Sequence, residues 1–147
     1  MEQNIIDHFS GIFSNLEVPF SYKKETKFFS FLIKEENRAF QTGVWHRKHI
    51  NTINFYSILV RDLTEADVHS LAYLLLKENE DLLFGSLGCY ERESKYWISF
   101  QYSFILERNE GTLVSETEVA QYFKYLTYIL PIMSQKVEEW LGRKVNV

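Results

Sequence analysis

At 147 residues, 46% hydrophobic and 24% charged, the chain has the size and make-up of a single domain spanning 1–147, large enough to bury a core without metal or disulfide staples. A net charge of -4 at pH 7 argues against nucleic-acid binding, and a single cysteine, Cys89, excludes an intramolecular disulfide and a thiolate-rich zinc site. The start, Met1-Glu2-Gln3-Asn4, is neither basic nor apolar and no stretch reaches the length of a membrane span, so a cytoplasmic protein without membrane contact is expected.

Ile5, Phe9, Ile12, Phe13 and Leu16 recur at spacings of three and four, which predicts an amphipathic helix over 3–16 that ends at Glu17-Val18-Pro19. From Phe20 to Val60 aromatic and β-branched residues alternate with polar ones. Breaks at Glu35-Glu36-Asn37 and His46-Arg47-Lys48-His49 divide this region into three antiparallel strands. One face of these strands carries Phe29, Phe31 and Ile33, then Phe40, Thr42 and Val44, then Ile53, Phe55, Ser57 and Leu59.

Thr64-Glu65-Ala66-Asp67 reads as an N-cap followed by an acidic first turn. A second helix should run from it to about Asn79, with Val68, Leu71, Ala72 and Leu75 facing the sheet. Strand material resumes from Leu82 to Tyr90, where Gly85 and Gly88 permit a bulge or a close backbone approach. Residues 96–106 alternate most clearly, and Glu91-Arg92-Glu93-Ser94-Lys95 should be the hairpin connection, although it lacks a glycine. Ser115-Glu116-Thr117-Glu118 is a capping box that opens a last helix, whose stripe runs from Val119 to Leu141 with an expected kink at Pro131, near residues 127–131. The expected fold class is α+β, an antiparallel sheet with helices in the order α-β-β-β-α-β-β-α.

Catalytic patterns are missing from the sequence. There is no glycine-rich phosphate loop and no Gly-x-Ser-x-Gly elbow. His46 and His49 are three apart, but Arg47 and Lys48 between them disfavour a dication, so no metal site is assigned. His8 and His69 read as helix-surface residues, and Cys89 as a small buried strand thiol with no base to activate it. No enzyme, catalytic residue or cofactor is expected.

Binding features are stronger. The aromatic share is 16%, with 12 Phe and 9 Tyr, more than a small core obviously needs. Trp45, Arg47 and Lys48 combine a ring with cations, and Tyr122, Tyr125 and Tyr128 flank the stripe of the last helix; these six are the candidate partner-binding residues. Charge is uneven. Segment 20–49 holds seven basic and three acidic residues, whereas 64–81 holds one and five.

The element order, the stretch Leu71-Ala72-Tyr73-Leu74-Leu75-Leu76-Lys77-Glu78-Asn79, the strands at 82–92 and 96–106 and the long helix at 115–141 together resemble the YbjN-type family of bacterial proteins. That family, also labelled sensory transduction regulators, is similar in fold to class I type III secretion chaperones. The resemblance implies a type III secretion chaperone-like fold in a small, cytosolic, often homodimeric protein without known catalysis, whose chaperone relatives hold an unfolded segment of a protein client. It supplies no active-site residues. The expected function is therefore a non-catalytic, chaperone-like or regulatory protein-binding module, a homodimer with a protein or peptide client. The alternative is a small-molecule-binding protein or enzyme with a pocket between the sheet and the C-terminal helix.

Overall fold

The computed structural model describes residues 1–35 and 37–142, which form three α-helices, a 3-10 turn and six strands. In chain order these are α1 (Gln3–Asn15), β1 (Phe20–Lys23), β2 (Phe28–Glu35), β3 (Arg38–Arg47), β4 (Thr52–Leu63), α2 (Glu65–Asp81), β5 (Ser86–Arg92), β6 (Lys95–Ile105), the 3-10 turn Asn109–Gly111 and α3 (Glu116–Trp140). The α+β class and the antiparallel sheet are as the sequence predicts. The order gains one strand, because Phe20–Val60 holds a separate β1. The turn that frees it, Lys24–Lys27, is closed by Lys27 in the left-handed region at φ 60, with no glycine or asparagine to announce it.

All neighbours pair antiparallel in the strand order β1-β2-β3-β4-β6-β5. One register row, Phe20, Phe31, Thr42, Ser57, Phe100 and Leu87, crosses the whole sheet and faces the helices. The core lies there. Phe13 of α1 sits 5.1 Å from Phe31 and 5.3 Å from Phe29, and stacks at 6.0 Å on Phe123 of α3. From α3, Val119, Leu126, Leu130, Met133 and Val137 are buried on the same side. Each such side chain removed from water contributes about 1.5–3 kcal/mol, which makes this layer the main source of stability.

The remaining expectations are adjusted locally. β4 runs on to Leu63 because two irregularities, between Ile58 and Val60 and between Val60 and Leu63, bend it and return Val60 and Leu63 to the core face. In α2 the buried positions are Leu71, Leu74 and Glu78, with Val68 and Leu75 half-buried and Ala72 exposed. α2 lies over β5 and β6 at the sheet edge, so only a narrow stripe of it is covered. It is fastened there by Asn79, whose amide accepts from Leu87 N–H at 2.7 Å and donates to Leu87 carbonyl at 3.1 Å. β5 starts at Ser86, leaving Leu82–Gly85 as a loop. Gly85 has φ 78 and packs so closely on Phe100 that a Cβ would lie 2.4 Å from that ring. The β5–β6 hairpin turns through Glu93 and Ser94, both at positive φ (51 and 64), a type I′ geometry without its usual glycine. α3 continues as one helix through Pro131.

Candidate functional site

Two surfaces with the makings of a site lie on opposite sides of the sheet. On the helix side, Tyr122 points from α3 onto β6 and β4. Its ring stacks on Tyr102 at 5.1 Å and meets Phe55 and Phe104 edge-on at 5.3 and 5.5 Å. The residue is 6% exposed and its hydroxyl has no hydrogen-bond partner among the described residues. Burial, reinforced by the neighbouring phenols of Tyr125 and Tyr102, pushes the pKa of that hydroxyl well up. It stays a neutral donor at physiological pH.

Beside it opens a cleft of about 290 Å³, walled by α3, β6 and the loop after α2. Phe84 from the loop packs 6.1 Å from Tyr125 and 6.5 Å from Tyr102, and Tyr125 donates to the Phe84 carbonyl at 3.4 Å. Glu118 and Gln121 supply polar groups to the lining. The pKa of Glu118 is held below the ordinary carboxylate range, first by the Ser115 backbone N–H and then by Arg108, so it is ionised and already paired. The cleft is thus aromatic, with a buried donor and one satisfied carboxylate.

The helix layer exposes apolar side chains, and Phe84 among them lines the cleft. Leu83 is 90% and Leu76 70% exposed, and Tyr73, Phe84, Tyr128 and Trp140 are also largely open. Tyr73, midway along α2, and Trp140, the last residue of α3, stack at 6.2 Å. Lys136 holds the buried Glu78 at 3.1 Å, fixing the two helices against each other.

The six residues singled out in the sequence do not converge. Tyr122 is in the core beside the cleft, Tyr125 is half-buried at its wall, and Tyr128 is exposed on the next turn. Trp45 and Arg47 stand on the sheet face turned away from the helices, where Arg47 lies over the Trp45 ring at 5.7 Å, and Lys48 is in the exposed turn beyond. His46 bonds Asn51 at 2.9 Å across that turn, while His49 stays exposed. Among the described residues no three His, Cys, Asp or Glu cluster as metal ligands.

Two sequence readings need correction. Cys89 is exposed, because β5 is an edge strand and helix cover falls away beyond Leu87; partial burial of its sulfur still raises the pKa of the thiol, so it rests as a thiol. His8 is half-buried, its ring bonded to the Val114 carbonyl at 2.7 Å. Residues that sequence reasoning passed over include Phe84 and Tyr102 at the cleft and Tyr56, Arg61, Arg92 and Trp97 on the open face. Strand alternation in 96–106 carried the signal for Tyr102 and Trp97. Phe84 carries none, since Leu82-Leu83-Phe84 has the composition of a strand.

No protein-family model matches the chain and no curated protein sequence aligns significantly with it. Among solved structures, YbjN from E. coli, a proposed transcription regulator, is similar over 90% of this chain and 88% of its own, with a TM-score of 0.66 at 14% identity. No described helix is long and apolar enough to cross a membrane. With its helices on one side of a six-stranded antiparallel sheet, the chain has a YbjN-like fold.

Proposed function

We propose that this protein is a non-catalytic, regulatory or chaperone-like binding module that works as a homodimer and takes an apolar protein segment on its helix-side surface. The observation that carries this reading is the exposed group Leu83, Phe84 and Tyr128 at a half-open aromatic cleft lined by Phe84 and Tyr125. Exposed apolar side chains grouped in this way mark interaction surfaces, whereas scattered ones carry no such meaning. An amphipathic or extended segment would set one or two large side chains in the cleft and leave its polar edge at Glu118 and Gln121. The likeness to YbjN is compatible with a regulatory role.

Affinity capture with the wild type and with Leu83→Glu and Phe84→Glu tests the reading. One stoichiometric protein should be retained by the wild type and lost by both variants while their circular dichroism is unchanged. Equal retention by all three would contradict it.

A second reading is favoured by the unpartnered Tyr122 hydroxyl. A small, mostly aromatic molecule with one acceptor would fit the cleft and satisfy that donor. Mass spectrometry of the purified protein under native conditions separates the two, since this reading requires a retained small molecule.

A further inference from the structure

The sheet face away from the helices has a composition unlike that of the whole chain. Strand alternation places Lys23, Lys34, Arg47, Arg61, Arg92 and Lys95 on it. No Asp or Glu occupies a register-paired position of this face; Glu35 and Glu91, next to Lys34 and Arg92, alternate to the helix side, and Asp62 sits in the irregular segment of β4. On a chain of net charge -4, this is a strong segregation. Arg47, Arg61 and Arg92 have no carboxylate partner among the described residues.

Rings lie between these cations. Trp45 meets Tyr56 at 4.9 Å and Phe28 at 5.6 Å, and Tyr90 meets Trp97 at 5.6 Å. Arg61 and Arg92 stand 5.0 and 5.1 Å from the Trp97 centroid, each extended against the sheet by the ring and with N–H donors left for an anion. Two glycines make room on the face. A Cβ on Gly43 would lie 2.4 Å from the Tyr56 ring, and one on Gly88 would lie 2.7 Å from the Gln101 amide, so both side chains can lie down across their neighbours. Burial raises the pKa of Tyr90 to about 12, and burial raises that of Tyr56 even though Arg92 and Arg61 oppose it; both phenols are neutral donors.

We propose that this open face binds single-stranded nucleic acid, with the arginines on phosphates and the aromatic rings against bases. Charge complementarity requires an anionic partner, and the interleaved rings ask for one that also has planar groups. A duplex keeps its bases stacked inside, and this sheet face presents no helix that enters a groove, so the single strand is the form that fits. The net charge of the chain does not oppose this. The acidic helix α2 lies on the other side of the sheet, and charges more than about 8–10 Å apart are largely screened at physiological salt.

The test is quenching of tryptophan fluorescence by a short oligouridylate, compared with a duplex of the same length and with polyglutamate, across a range of salt. Oligouridylate should quench and bind at least about tenfold more tightly than either competitor, with log K falling against log salt at a slope of about -2 if three arginines neutralise phosphates. Arg61→Gln and Arg92→Gln should each lower that slope by about 0.7, and Trp97→Leu should weaken binding by about tenfold. The arginines are exposed, so their variants remain informative if Trp97→Leu fails to fold. No quenching at low salt overturns the proposal. So does equal binding of polyglutamate, which would make this a face for acidic proteins, or equal binding of the duplex. Phe84→Glu, on the other side of the sheet, should leave oligouridylate binding unchanged.

Discussion

Tyr122 shows how far a single residue can be read from its neighbours in the chain. Its spacing of three from Val119 and four from Leu126 places it on the buried side of α3, and that placement holds. The state of its hydroxyl depends on Phe55, Tyr102 and Phe104, which come from other elements and offer only ring faces and edges. A buried donor without a partner costs about 1–3 kcal/mol, so Tyr122→Phe should stabilise the isolated protein by about 1 kcal/mol in urea unfolding. A loss of that size would mean the hydroxyl is bonded in solution. Cys89 makes the same point in reverse, since a small apolar residue in a strand reads as buried until the strand proves to be an edge.

Among the elements, the helices were the most legible, because their caps are local in sequence. Thr64 and Ser115 each accept from the backbone three residues on, and Asp67 and Glu118 return the bond to the cap N–H. Ser115→Ala should cost about 1 kcal/mol of stability. The pKa of Glu118 is lowered in the folded chain, so its contribution is complete above the unfolded carboxylate value and is lost as pH falls through the folded one. Thermal melts of the wild type and Glu118→Gln should therefore differ at neutral pH and converge in acid; a difference independent of pH would contradict this. Turns were harder to read. The one that separates β1 from β2 and the one between β5 and β6 both use left-handed Lys, Glu or Ser, residues that give no turn signal. The start of β5 was missed because Leu82, Leu83 and Phe84 look like strand residues, yet they form the loop that exposes the apolar side chains of the proposed site.

At the scale of the molecule, the uneven charge seen along the chain becomes a spatial one. The basic segment 20–49 builds β1, β2 and β3 at one side of the sheet, and the acidic segment 64–81 is α2, over β5 and β6 at the other. Hydrophobic periodicity is sufficient for the fold class, since the three helices and the strands β2, β3 and β6 turn a mainly buried apolar face to the core. It does not tell which of the six candidate residues share a surface, because Trp45 alternates to the sheet face opposite the one on which α3 sets Tyr122, in a sheet whose order is not the chain order. In the proposed function, a dimer holds a partner protein on its helix side. Light scattering after size exclusion, with native mass spectrometry of the same fraction purified from its own cells, tests this most directly. The expected mass is twice the 17.5 kDa of the chain plus one stoichiometric protein that Phe84→Glu releases; a bare monomer carrying only a small molecule would contradict the proposed function.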